Sequence, residues 1–315
     1  MQRATASFLL AVLLTPLSTS AEEAETPRPL RRIPKAFVTL DEIANPDLYY
    51  PRYDAVYQPP PSLQPPPPAG VVRPGEFDQM DAQIIAMVNY GGAYYQMWAE
   101  MVSVYANAGH VWIIHAPGTQ ALVEPLIGEE GVDAASYSWL NYPINSIWIR
   151  DYGPEFVVEP DGTRHVIDAA YHADRPLDDA IPLWIGASDW LNTDGTELAV
   201  HGHDHGLNGG NVMTDGAGTC FFSDILYGYE MPTGWTAQDV DALFADYLGC
   251  EQIVTLKPIC HDGTGHIDLY AKAVGPTSIL LAEFAADTHF DGTVYEESTG
   301  HCGSNYPNDY QDQED

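Results

Sequence analysis

Basic residues are what this chain has least of. Lysine and arginine number 12 among 315 residues, against 45 aspartates and glutamates, for a formal net charge of −33. Beyond Arg73 only Arg150, Arg164, Arg175, Lys257 and Lys272 remain. No basic stripe exists to neutralise phosphates, which argues against a nucleic-acid partner. Long apolar runs are also missing. The longest N-terminal stretch, residues 8–17, is too short to cross a bilayer, so no membrane partner is expected. Cysteine is sparse: Cys220, Cys250, Cys260 and Cys302 have spacings that match no zinc pattern. Neither a metal nor another cofactor is called for. The acidity reads as a solvated surface, or as a field that draws in cationic ligands.

Several features are present in their place. Residues 1–21 have the form of a secretory signal, with Arg3 before the apolar stretch and Thr19-Ser20-Ala21 as a small-residue cleavage site. A secreted or periplasmic location is therefore expected, and four cysteines in an oxidising compartment suggest two disulfides. The sequence does not choose among the three pairings. Residues 22–70 read as an extended arm ending in a proline-rich linker. Residues 71–315 read as the compact domain, and a hydrophobic content of 45% supports a core.

Within that domain Ile84-Ile85-Ala86-Met87-Val88 reads as a buried strand. Tyr94, Met97, Trp98, Met101 and Tyr105 recur at helical spacing, and Val111-Trp112-Ile113-Ile114 is a second strand. A similar unit returns later. Thr236 and Asp239 form a capping box, Val240, Leu243, Phe244 and Tyr247 the buried stripe, Gly249 a cap, and Ile253 to Leu256 a strand. Between and after these units lie paired strands turning at Asp161-Gly162, Asp215-Gly216 and Gly275-Pro276. The repetition predicts an α/β assembly of similar modules.

Three loops concentrate reactive side chains: Arg150-Asp151-Tyr152-Gly153-Pro154, residues 201–211, and residues 262–268. Asp151 and Asp268 are suited to hold one planar guanidinium, whose rigid fork of N–H donors fits two carboxylates. His266, two residues from Asp268 on an expected strand, would share its face and act as general acid and base. Two other motifs invite metals. His201-Gly-His-Asp-His205 approaches a zinc-hydrolase pattern but is one residue short, and the acidic stretch of residues 174–179 has the composition of a calcium loop. A solvated loop is the commoner meaning of such an acidic stretch.

Trp148-Ile-Arg-Asp-Tyr-Gly-Pro-x-Phe156, Gly209-Gly-Asn-Val-Met-Thr-Asp-Gly216 and Gly265-His-Ile-Asp268 resemble motifs of the guanidine-modifying deiminases, in their bacterial peptidylarginine and agmatine branches. Arg175-Pro-x-Asp-Asp179 resembles the pattern that follows the first motif. The resemblance covers about residues 71–284. It implies a pentein fold, a five-bladed α/β propeller of ββαβ modules, with the site on its axis. It implies that Asp151 and Asp268 bind the guanidinium, that His266 moves protons and that Trp148 walls the aliphatic stem. Asn208, Gly209 and Gly210 would belong to the substrate loop, and a cysteine would form a thiouronium that water hydrolyses to a ureido product. The partner would be an arginine-containing peptide or protein, or a small guanidino compound such as agmatine.

The sequence departs from that pattern twice. Of two arginines that would contact a substrate carboxylate, Arg175 matches one and Ala173 stands at the other position. His301-Cys302 is similar to the dipeptide carrying the nucleophile, but Cys302 follows Asp268 by only 34 residues. That spacing reads as a chain shortened relative to five modules. Cys302 is then either the nucleophile or a disulfide partner, for example of Cys260, in a remnant that binds guanidino groups without turnover.

Overall fold

The computed structural model describes residues 32–33, 35–36, 39–50, 64–188, 198–228, 232–259, 262 and 264–282, with the side chain of Asp204 left out. The expected signal segment, Cys260 and Cys302 lie outside these residues. No helix among them is long and apolar enough to cross a membrane.

The expected arm is not simply extended. Thr39 and Glu42 form a reciprocal capping box that starts α1 (Leu40–Ala44), and Pro46 at the first position of α2 (Pro46–Tyr49) supplies a preset helical φ. A parallel three-stranded sheet follows, built as β1 (Ala82–Met87), α3 (Gly92–Ala106), β2 (His110–His115), α4 (Gln120–Glu129) and β3 (Tyr137–Asn141). On α3 the buried line is Trp98, Ala99 and Val102, whereas Met97 faces outward. Tyr94, Met101 and Tyr105 of the expected stripe also pack against this core, so Met97 alone departs from it.

The next module runs α5 (Ile149–Tyr152), β4 (Glu155–Val158), β5 (Arg164–Ala170), α6 (Pro176–Asp179), α7 (Ile181–Gly186) and β6 (Ala199–Gly206). β4 and β5 form the antiparallel hairpin expected at Asp161-Gly162, and β6 returns parallel to β5. The His201–His205 stretch is thus mainly strand rather than loop. A second module repeats the pattern: β7 (Val212–Thr214) and β8 (Thr219–Ser223) form a hairpin, α8 (Ala237–Leu248) crosses over, and β9 (Gln252–Leu256) pairs parallel to β8. β10 (Ala271–Gly275) and β11 (Ser278–Leu281) make a further hairpin. Four sheets are present among the described residues, two of them sharing one hairpin-plus-crossover plan.

α8 shows how sequence becomes structure. Thr236 and Asp239 cap its start, and Val240, Leu243, Phe244 and Tyr247 are buried against the second module's core. Gly249 ends it at φ 69°, where a Cβ would also collide with the Val71 carbonyl, so only glycine fits. One residue later Cys250 joins Cys220 of β8 in a disulfide across 30 residues of chain. Such a loop closure stabilises by about 3–4 kcal/mol.

Candidate active site

The 3-10 turn Gly209–Asn211 lies between α5 and a second 3-10 turn, Ile267–Leu269. This packing converges the three loops singled out by sequence. Gly209 and Gly210 make it possible. A Cβ at Gly209 would strike the Arg150 carbonyl, and one at Gly210 would enter the His266 ring. The glycine pair therefore acts here through close approach, and the Gly210 amide also donates to Asp151. Asn208 precedes the turn and is nearly buried.

Asp151 sits in α5 with 5% of its surface exposed. His266 is the residue before the Ile267–Leu269 turn, and its amide donates to Asp262 and Thr264. His266 and Asp268 thus share a turn rather than the expected strand, yet they still face one another. His266 Nδ1 lies 3.6 Å from Asp151 Oδ1 and 3.9 Å from Asp268 Oδ1. Its Nε2 is buried with no hydrogen-bond partner. Asp268 keeps a side-chain exposure of 29%, so the pair has one buried and one accessible carboxylate.

Burial, followed by the nearby Asp268, pushes Asp151 up to about 8. Burial also raises Asp268 and lowers His266 to about 4. At neutral pH these shifts favour a neutral imidazole beside an Asp151 held toward its protonated form. Bringing in a cation would reverse the cost of ionising both carboxylates.

Arg150 is held within this charge system. Its guanidinium lies 2.5 Å from Glu76, 2.9 Å from the Val212 carbonyl and 3.6 Å from Asp268. Glu76 also takes Lys272. The sequence reading missed Glu76, because an isolated glutamate beyond a proline-rich linker carries no local signal. Trp148 stands immediately before α5, half-buried and packed on the first core.

Arg175 is elsewhere engaged. It is fully buried and bonds Glu42 at 2.8 Å, with further bonds to the Lys35 and Ala36 carbonyls and the Tyr171 hydroxyl. In this structure the cation expected to meet a substrate carboxylate meets Glu42. The acidic 174–179 stretch is also not a solvated loop at its end. Asp178 accepts from the Asn145 and Ser146 amides and the Ser146 hydroxyl, and Asp179 from the Tyr171 amide. His203 packs against Tyr247, and His205 bonds the Gly206 and Leu226 carbonyls. Among the described residues no group of three or more His, Cys, Asp or Glu is arranged to hold a metal.

The model of Porphyromonas-type peptidyl-arginine deiminases matches residues 83–302. This chain belongs to that deiminase family. The family match includes all three converging loops and reaches Cys302. A Streptomyces coelicolor protein provisionally named an agmatine deiminase is 26% identical over 202 residues, covering 58% of this chain and 55% of that protein. A Selenomonas ruminantium protein of the same provisional name is 25% identical over 233 residues, covering 67% and 56%. This family member thus spans little more than half the length of those curated relatives. Among solved structures, the C. jejuni agmatine deiminase aligns at TM-score 0.54 with 20% identity, covering 66% of this chain and 61% of that one. The Enterococcus faecalis agmatine deiminase aligns at 0.55 with 16% identity, covering 67% and 60%. These structural likenesses carry the mixed α/β pentein-type fold.

Proposed function

We propose that the site binds a guanidino group between Asp151 and Asp268 and hydrolyses it to a ureido group and ammonia. The observation that carries this reading is the convergence of two carboxylates on one imidazole, with Asp151 forced toward its protonated form until a cation arrives. A guanidinium, planar and permanently charged, satisfies both carboxylates with paired N–H donors. His266, neutral at pH 7 and with Nε2 unpartnered, takes the proton from the Cys302 thiol, passes it to the departing ammonia and then takes a proton from the attacking water. Cys302 supplies the nucleophile: as its thiol gives up the proton its sulfur bonds the guanidinium carbon, the C–N bond breaks to release ammonia, and water then displaces the sulfur, giving the ureido product and the free thiol. The family match reaching Cys302 supports that assignment.

The substrate we favour is peptidyl arginine, in keeping with the matched family model and the expected export. Agmatine is the second reading, favoured by the names of the relatives and by Arg175 already being held by Glu42. Export to the periplasm or outside the cell would separate the two, since it brings the site to peptides. The experiment compares ammonia release from a benzoyl-arginine peptide and from agmatine by the native chain, Cys302→Ala and Asp151→Asn. Turnover of the peptide, lost in both variants, is expected. Binding of both ligands without ammonia from either would leave a guanidino-binding protein and sink the hydrolase reading.

A further inference from the structure

Away from the deiminase site, the structure holds a pair of histidines whose remaining hydrogen bonds leave two nitrogens in conflict. His165 on β5 and His201 on β6 occupy the same sheet face, because Ile167 is the strand partner of His201 and lies two residues from His165. His165 Nε2 is 2.7 Å from Glu159 Oε1. His201 Nδ1 is 2.7 Å from the Pro65 carbonyl oxygen. A carboxylate and a carbonyl only accept, so each of these ring nitrogens carries the proton. The other two nitrogens, His165 Nδ1 and His201 Nε2, then present lone pairs to each other at 3.1 Å. Two neutral rings bring two protons for three contacts, so the third contact is completed either by a third proton or by a metal cation held between the two nitrogens.

We propose that His165 and His201 form a two-histidine site for one divalent transition-metal ion of the zinc or copper(II) class. Ligand spacing agrees. Two imidazole nitrogens each about 2.0–2.1 Å from a tetrahedral zinc stand about 3.3 Å apart, close to the distance here. The outer contacts agree independently. A metal-bound histidine typically gives its second N–H to a carboxylate or a backbone carbonyl, which fixes the tautomer that ligates. Here Glu159 does so for one ring and Pro65 for the other. Imidazole suits zinc and copper(II) rather than magnesium or calcium. No third protein ligand is placed there among the described residues, so water fills the other positions.

The site would have a structural consequence. The Gln64 amide bonds the Gly202 carbonyl and the Tyr247 hydroxyl bonds the Gln64 carbonyl, so this end of the proline-rich segment already lies along β6. His201 already adds the Pro65 carbonyl to that seam, and a metal fixing its tautomer would hold that bond in place.

The test uses the tag-free full chain, freed of metal and titrated with zinc chloride by calorimetry, then with copper(II) under electron paramagnetic resonance. Zinc is expected to bind at one equivalent, and copper(II) to show two equatorial nitrogens. His201→Ala, a partly exposed position that should fold, is expected to weaken zinc at least 100-fold. Glu159→Gln is expected to weaken it about 10–100-fold with the fold intact by circular dichroism. Equal zinc binding by native and His201→Ala chains would overturn the proposal by placing the metal elsewhere. Absence of zinc and copper binding, with histidine ¹⁵N shifts showing a proton shared between the rings, would overturn it in favour of a hydrogen-bonded imidazole pair.

Discussion

Two buried charge systems lie toward the two ends of the 149–179 stretch, and they are built in opposite ways. Around Arg175 the cation is answered within the fold: Glu42, two main-chain carbonyls and a tyrosine hydroxyl surround it, and both members of the ion pair are fully buried. Around Asp151 the anions are answered only in part. Asp151 receives the Gly210 amide and faces a neutral His266, while Arg150 is shared among Asp268, Glu76 and a carbonyl. A buried charge with its full complement of partners is a structural device. A buried carboxylate held toward neutrality beside an unpartnered imidazole nitrogen is a site kept ready for a cationic ligand.

The largest separation between the two should come from His266→Ala. If the imidazole moves protons, kcat should fall by about 10²–10⁴-fold, while guanidino binding through Asp151 and Asp268 survives. Stability should change little, because the histidine is not the partner of a permanent charge. A large fall in melting temperature without a selective loss of kcat would instead make His266 structural and erase the contrast.

Glu42→Ala should behave in the reverse sense. Removing one member of a fully buried pair strands Arg175 and should cost about 3–5 kcal/mol, read by urea unfolding. Guanidino turnover per folded molecule should hold at temperatures where the variant is folded. If agmatine turnover were unchanged but a peptide bearing a free C-terminal arginine became a better substrate, Arg175 would have a second role in ligand recognition.

Gly210→Ala probes the seam of the active site with a smaller lever. The added methyl meets the His266 ring, so either the ring or the turn must move. A displacement of about 1 Å can cost up to about 100-fold in turnover, and ligand affinity should suffer less. Steady-state kinetics with an unchanged circular-dichroism spectrum would place the effect in the site.

Much of this could be read before the fold was known, for reasons that differ from element to element. α8 announced itself through its capping residues, period and terminal glycine, all local signals. Asp151, His266 and Asp268 were legible because their motifs are distinctive, although only packing brings them together, with the two-glycine turn between them. β6 was not legible, since His201-Gly-His-Asp-His-Gly206 has poor strand propensity and its pairing with β5 is what makes it a strand. α4 was hidden by Pro125 in its interior, and β3 by a partly exposed face without clean alternation. The Arg175–Glu42 pair spans 133 residues and joins the five-residue α1 to the start of α6, so no periodicity could reveal it. The same long-range packing gives Arg175 an anchoring role that its motif did not show.

The smallest effect is also the most specific to the partly answered site. Burial and the nearby Asp268 push Asp151 up to about 8, far above its ordinary value, which holds it toward the protonated form at pH 7. A guanidinium placed against it favours the ionised form and should release that proton. On the stability side, a folded value above the unfolded one gives a contribution present below about pH 4 that is lost as pH rises through about 8. Melting data would blur this, because His203, His172 and His266 are depressed to about 3, 4 and 4. Their contribution runs the other way, present above pH 6.5 and lost as pH falls through those values. Ligand binding isolates Asp151. Calorimetry of agmatine binding to Cys302→Ala at pH 7, in buffers of different ionisation enthalpy, should show release approaching one proton. The release should shrink above pH 9, where Asp151 is already ionised, and vanish in Asp151→Asn. A buffer-independent enthalpy at pH 7 in the Cys302→Ala chain would mean that the guanidinium does not bind against Asp151, and the contrast with Arg175 would lose its chemical meaning.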